Sequence, residues 1–214
     1  MLAYLEAAAR WDQRLAYGQA HRLAWMHPNT ITAISFVVAA AAIGALAGGW
    51  FVAGSVLFFL QRMLDCIDGE VARRTGRVSV IGSLFDHVTD WFLVAGSLAA
   101  LAYAFQDTGW SVVALSGAAA VTAMHGIVTL LAAPVSRKAG LAVTHFFPTS
   151  HLERRQSMPS RRVKAALDLA RADWLMMPLA ALGAMPAWAV IRLIGTLGLT
   201  GWFVHNAARM LADD

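Results

Sequence analysis

Charge is what this chain has least of. Only 14% of its 214 residues are Asp, Glu, Lys or Arg, against about 25% in a soluble domain. With 58% hydrophobic residues and a mean hydropathy of +0.57, that shortage excludes a soluble globular protein and indicates the integral membrane class. Cysteine is nearly missing too. Cys66 stands alone, which rules out an internal disulfide framework, and it reads as small core filler rather than a reactive thiol. There is no internal repeat, low-complexity tract or second soluble domain. The first 28 residues lack the unbroken apolar core of a cleaved leader, because Arg10, Asp12, Arg14, Gln19 and Arg22 interrupt their Leu, Ala, Trp and Tyr. They read instead as an amphipathic helix on the membrane surface, with Trp11, Tyr17 and Trp25 at headgroup level.

Apolar runs of roughly 20 residues predict an all-α integral membrane protein with six transmembrane helices. The first runs from about Asn29 to Gly48, after the helix-start signal His27-Pro28-Asn29-Thr30. The others cover about Trp50 to Arg74, Ser79 to Phe105, Trp110 to Ala133 (stopped by Pro134), Lys164 to Met185, and Pro186 to Leu211. Two units result: residues 1–28 as the interfacial helix and 29–214 as the six-helix membrane domain.

Lys and Arg are absent from the connections near Gly48, Asp107 and Met185. They crowd the other side, at Arg10, Arg14 and Arg22, at Arg73, Arg74 and Arg77, and in the loop 134–163 with Arg137, Lys138, Arg154, Arg155, Arg161 and Arg162. That asymmetry puts both termini in the cytoplasm. Arg62 and Arg192 are exceptions inside proposed spans. A pI near 9.8 would suggest nucleic acid in a soluble protein. With the basic residues beside apolar spans, the anionic partner is the lipid bilayer, and no nucleic acid is expected.

Against this apolar background stand Asp65, Asp68, Asp86 and Asp90. An aspartate at the centre of a membrane helix costs about 2.5–3.5 kcal/mol on insertion scales, so intramembrane acids default to function. Asp65, Asp68, Gly69, Ala72 and Arg73 fall at i, i+3, i+4, i+7 and i+8, one helix face; Gly82, Asp86 and Asp90 share a face of the next helix. The short link from Thr75 to Val78 predicts that the two helices are antiparallel neighbours, with the acids converging on a pocket open to the cytoplasm. Carboxylates that close must hold protons or recruit cations. An all-oxygen donor set favours hard ions such as Mg²⁺, Mn²⁺ or Ca²⁺ over zinc, and two ions bridged by carboxylates suit displacement at phosphorus. Gly69, Ala72 and Gly82 leave room for a ligand or let helix backbones approach.

The pattern Asp65-x2-Asp68-Gly69-x2-Ala72-Arg73-x8-Gly82-x3-Asp86-x3-Asp90 resembles, at every fixed position, the signature of the CDP-alcohol phosphotransferases. The resemblance implies homodimeric enzymes of the inner (plasma) membrane that transfer a substituted phosphate from a CDP-linked donor to an alcohol and release CMP. It implies that Asp65, Asp68 and Asp86 hold two Mg²⁺ or Mn²⁺ ions, and that Asp90 completes the site and takes the acceptor hydroxyl proton. Gly69, Ala72, Arg73 and Gly82 would line the nucleotide pocket, with Arg73 contacting the pyrophosphate. The segment Pro28-Asn29-x-Ile31-Thr32 resembles the start of the first span in this family, so Asn29 is either a nucleotide contact or, with Thr30, a simple helix cap.

Donor type stays open. The basic loop favours CDP-diacylglycerol with a small polar alcohol as acceptor, Arg137, Lys138 and the intramembrane Arg192 being candidate contacts for an acceptor phosphate. Arg74-Thr75 and Phe85-Asp86-His87 resemble the choline/ethanolamine branch, where the CDP carries the headgroup, and make His87 a candidate acceptor contact. One residue on from Asp86 is a rotation of about 100°, so His87 has a packing reading as well. A divalent-cation transporter is the remote alternative. A pore wants acids spread across the bilayer, and these lie near one face.

Overall fold

The computed structural model describes residues 18–138 and 173–212, which are helical throughout with no strand among them. After a 3₁₀ turn, Ala20–Leu23, come α1 (Pro28–Ala47), α2 (Phe51–Thr75), α3 (Val80–Ala104) and α4 (Trp110–Lys138). A second 3₁₀ turn, Asp173–Leu175, leads into the short α5 (Met176–Ala181) and then α6 (Met185–Ala212).

α1 buries Ile31, Thr32, Ser35, Ala39, Ala42 and Leu46, a three-to-four spacing that makes one stripe. Ile34 and Val37, on the opposite face, are exposed. The same holds for Val112, Leu115 and Leu130 of α4 and for Ile194 and Leu197 of α6. A bundle that turns large apolar side chains outward is built for hydrocarbon rather than water. α1, Leu84–Ala104 of α3, Trp110–Leu131 of α4 and Met185–Arg209 of α6 are each long and apolar enough to cross a bilayer. They mark the chain as a multi-pass membrane protein. At 25 residues, α2 reaches about 37 Å at 1.5 Å per residue, but charges fill its C-terminal half. Of the expected fifth span, Lys164–Met185, only residues from Asp173 onward are described, and the helix there ends at Ala181. Most of the expected interfacial helix 1–28, with Trp11 and Tyr17, also lies outside the described residues. Its described end is the turn Ala20–Leu23, packed against α2 where Ala20 meets Ile67 and Val71, with Cys66 as partly buried filler.

α2 and α3 are the antiparallel neighbours expected, Arg62 and Asp65 of the one meeting Asp90 and Asp86 of the other. Both also lie against α1, while α3 packs on α4, and α4 on α6. The faces that α2 and α3 turn towards each other carry acids and glycines, which border a cavity. One expectation needs correction. Pro134 does not end the fourth helix, for α4 continues through it to Lys138. A proline removes one hydrogen bond, which membrane helices tolerate.

The main core brings Leu46, Phe58, Leu93, Leu98, Met176 and Trp188 together, with Phe58 edge-on to Trp188 at 5.6 Å. It occupies the end of the bundle away from the acids. At the other end Gly76 closes α2 with φ of 68°, a left-handed conformation that glycine adopts without steric cost. There Arg77 N–H bonds back to the Ala72 carbonyl at 3.0 Å. Ser79 then caps α3, its Oγ accepting from Gly82 N–H at 3.0 Å. This tight reversal sets the start of α3 beside the end of α2.

Candidate active site

A cavity of about 180 Å³ opens where the N-termini of α1 and α3 meet the C-terminal half of α2. Asp68, Gly69, Ala72 and Arg73 line it from α2, Gly82 and Asp86 from α3, and Pro28, Asn29 and Thr32 from α1. The cap of α1 explains why Asn29 is available. His27, not Asn29 or Thr30, is the N-cap, its Nδ1 accepting from Asn29 N–H at 3.3 Å, which leaves the Asn29 side chain on the cavity wall. Gly82 sits where a larger residue would crowd two of these side chains. A Cβ at this position would stand 3.0 Å from Ser79 Oγ and 3.3 Å from Asn29 Oδ1.

Each acid has a different environment. Asp68 is buried, and Thr32 Oγ1 donates to its Oδ2 at 2.6 Å, joining α1 to α2. Asp65 lies within hydrogen-bonding reach of Asp86, and its Oδ1 is buried with no donor. Asp90 is ion-paired to Arg62, which also approaches Asp65 at 3.4 Å. From its other side Arg62 Nε reaches Asp173 at 3.2 Å, and the second Asp173 oxygen takes Arg192 Nη1 at 2.9 Å. As the side chains stand, no three acidic, histidine or cysteine groups among the described residues close around one point. Arg62 takes up the room between Asp65 and Asp90.

The donor chemistry nevertheless suits a hard divalent cation, because every candidate ligand is a carboxylate oxygen and Asp65 Oδ1 is an orphaned buried acceptor. Asp65, Asp90 and Asp173 meet the guanidinium groups of Arg62 and Arg192, and Asp68 and Asp86 share the cavity wall with Arg73 and Arg77; carboxylates set this close favour bound positive charge.

Arg73 borders the cavity while its Nε and Nη2 donate to Glu70 Oε2 at 3.1 and 3.0 Å. Arg74 Nε donates to the other Glu70 oxygen at 2.7 Å. His87 turns towards α4 rather than into the cavity. Its ring lies 4.7 Å from that of His125, and its Nε2 is 3.4 Å from Thr129 Oγ1. Arg192 meets Asp173 and lies over Trp188 at 5.9 Å. α4 carries Arg137 and Lys138 at its end, but their side chains, like residues 139–163 of the basic loop, lie outside the described residues.

Three partners in the site escape sequence reasoning: Thr32, Arg62 and Asp173. Thr32 falls in the segment already flagged around Asn29, one helical turn into α1. Arg62 is flagged only as a basic exception within a span. Asp173 carries the clearest unused signal, since an acid inside the expected fifth span calls for a partner by the same rule that singles out the other four.

A family model for CDP-alcohol phosphatidyltransferase matches residues 25–202. Archaetidylinositol phosphate synthase of Aeropyrum pernix is 48% identical over 63 residues, 29% of this chain and 32% of that protein. Cholinephosphotransferase 1 of Danio rerio is 35% identical over 77 residues, 31% of this chain and 20% of that protein. Inner membrane protein YnjF of Escherichia coli is 32% identical over 115 residues, 47% of this chain and 54% of that protein. The chain thus matches between a fifth and about half the length of these relatives. No solved structure matches it. The chain belongs to the CDP-alcohol phosphatidyltransferase family.

Proposed function

We propose that this member of the family transfers a phosphatidyl group from CDP-diacylglycerol to a small polar alcohol, releasing CMP, at the cytoplasmic face of the inner membrane. The observation that carries the reading is one cavity shared by Asp68, Gly69, Ala72, Arg73, Gly82 and Asp86 with Asn29. Gly69, Ala72, Arg73, Gly82 and Asn29 are the residues expected to bind a CDP-linked donor, and Asp68 and Asp86 are two of those expected to hold the metals. At about 180 Å³, the cavity is below the range of roughly 300–1,000 Å³ usual for drug-sized ligands. It suits part of the nucleotide, with the lipid chains left outside in the bilayer.

Asp65, Asp68 and Asp86, completed by Asp90, are the residues that would hold two Mg²⁺ or Mn²⁺ ions. Such ions neutralise charge on the departing phosphate oxygens. Thr32 fixes the Asp68 carboxylate by its hydrogen bond, and Arg73 offers its guanidinium to the pyrophosphate. Asp90 takes the hydroxyl proton as the acceptor oxygen bonds to the phosphorus bearing diacylglycerol, and the bond from that phosphorus to the CMP oxygen breaks. The homodimer and the orientation rest on the family resemblance and on the distribution of basic residues.

A second reading has the CDP carry a choline- or ethanolamine-like headgroup and a lipid accept it. The match to cholinephosphotransferase 1 and the run Phe85-Asp86-His87 favour it. CMP release by purified protein in detergent distinguishes the two. CDP-diacylglycerol is offered with serine, glycerol phosphate, inositol phosphate or inositol; CDP-choline and CDP-ethanolamine are offered with diacylglycerol. Divalent-metal-dependent release in the first arm, raised by one acceptor, is expected, whereas release only in the second establishes headgroup transfer. Asp90→Asn lowers turnover about 10²–10⁴-fold, the usual contribution of a general base, with donor binding kept. Near-wild-type turnover in that variant removes Asp90 from the role of base.

A further inference from the structure

We infer that Arg62 is a resident counter-cation which a divalent ion must displace from the acids, and that Asp173 is the positioning residue that keeps the displaced guanidinium beside the site. The inference rests on the metal-binding reading above and extends it to residues outside the family signature.

The geometry divides one guanidinium between two tasks. Its Nη1 edge lies on Asp65 Oδ2 at 3.4 Å and on Asp90 Oδ1, while Nε lies on Asp173 Oδ2 at 3.2 Å. A cation bound to both Asp65 and Asp90 would sit in the space between them that Nη1 occupies. Arginine cannot leave by losing a proton, so it has to move. The Nε contact to Asp173 is the natural pivot, because Asp173 belongs to a different element and is held from behind by Arg192 of α6. The side chains of Asp65, Asp173 and Arg192 are all nearly buried, at 11%, 12% and 12% exposure, so little water screens these contacts. With Arg62 seated, part of the acid cluster is compensated before any metal arrives. With metal seated, Asp173 still holds Arg62 and Arg192 through its two oxygens, and Asp90 is released from its ion pair.

Two consequences have opposite signs. Removing the guanidinium removes a competitor, so metal binding tightens. Removing Asp173 leaves Arg62, among the described residues, only the carboxylates of the cluster as ion-pair partners, so metal binding weakens. A gain in affinity is informative, because general damage to the fold does not produce one.

The experiment is Mn²⁺ binding to the purified full chain in detergent, read by electron paramagnetic resonance of free Mn²⁺. Wild type, Arg62→Gln, Arg62→Lys, Asp173→Asn and Asp68→Asn are compared. Arg62→Gln is expected to bind Mn²⁺ about tenfold tighter, the smallest effect usual for one neighbouring charge. Affinity equal to or weaker than wild type overturns the inference. Should Arg62→Gln fail to fold, Arg62→Lys decides in the same way. It cannot span the same acceptors with a planar fork, so its Mn²⁺ affinity rises to a lesser degree, and no rise overturns the inference. Asp173→Asn is expected to bind several-fold more weakly, and unchanged or tighter binding overturns the part given to Asp173. If that variant does not fold, the Arg62→Gln/Asp173→Asn pair decides instead. Affinity matching Arg62→Gln supports the tether, and a further loss overturns it. Wild type that binds Mn²⁺, with binding lost in Asp68→Asn but not tightened in Arg62→Gln, sinks this inference alone. No binding in any of the proteins sinks the metal reading as well.

Discussion

Asp173 and Glu70 each hold two arginines, one on either carboxylate oxygen, yet the two arrangements differ in every other respect. Glu70 takes Arg73 and Arg74 from its own helix, three and four residues on. Those guanidinium groups stand 57% and 47% exposed. Asp173 takes Arg62 from α2 and Arg192 from α6, and the side chains of all three are at most 22% exposed. The first arrangement is a local feature of one helix, formed wherever that helix forms. The second ties three elements together and exists only in the folded bundle. Exposed pairs are worth about 0–1 kcal/mol because water and salt compete with them. Removing one partner of a buried pair costs far more, because it strands a charge. One arrangement is therefore suited to exchanging partners with an incoming phosphate, and the other to holding its arginines in place.

Asp173→Asn is the largest test of that contrast. Breaking a buried ion pair from one side costs about 3–5 kcal/mol, so the unfolding midpoint in detergent should drop by several degrees. The same measurement on Arg192→Gln should give a loss of similar kind, because it breaks the same contact from the other end. If Asp173→Asn melts with wild type, the network is a surface pair in effect and the comparison collapses.

How much of this was legible in the sequence follows from the same contrast between local and long-range. The helices α1, α2, α3 and α6 begin and end within a residue or so of the apolar runs, since spans, turns and caps are encoded within a few neighbours. The shared face of Asp65, Asp68 and Gly69, and that of Gly82, Asp86 and Asp90, are also matters of helical spacing. What escaped is what requires knowing which helix lies beside which. The hydrogen bond from Thr32 to Asp68 crosses from α1 to α2. Arg62 to Asp173 joins elements far apart along the chain, and no periodicity points from one to the other. The short link does reveal that α2 and α3 are antiparallel neighbours, but not that α1 is a common neighbour of both. Pro134 misled because proline stops a helix more reliably in water than in a membrane bundle.

Arg73 offers the middle-sized test, on the exposed side of the comparison. As the proposed pyrophosphate contact it would contribute a charge-assisted hydrogen bond, about 1.5–3 kcal/mol. Arg73→Ala should therefore raise the donor KM roughly ten- to a hundredfold and leave the unfolding midpoint near wild type. A large fall in midpoint with unchanged donor KM would reverse the assignment, making Arg73 a structural partner of Glu70 rather than a ligand for substrate.

The smallest effect belongs to Glu70→Gln. If the Glu70 pairs are the loose ones, losing them costs at most about 1 kcal/mol of stability, which a melting curve barely registers. The informative readout is donor binding. Glu70 competes with an incoming phosphate for Arg73 and Arg74, so its neutralisation should lower the donor KM modestly. Added salt weakens this competition in wild type, because charges this exposed are screened beyond about 10 Å at 0.1 M ionic strength. The variant and wild type should therefore converge as salt rises. A donor KM that instead rises in Glu70→Gln at every ionic strength would mean that Glu70 aims the two arginines at the substrate. Glu70 would then be, on the exposed face, what Asp173 is within the bundle.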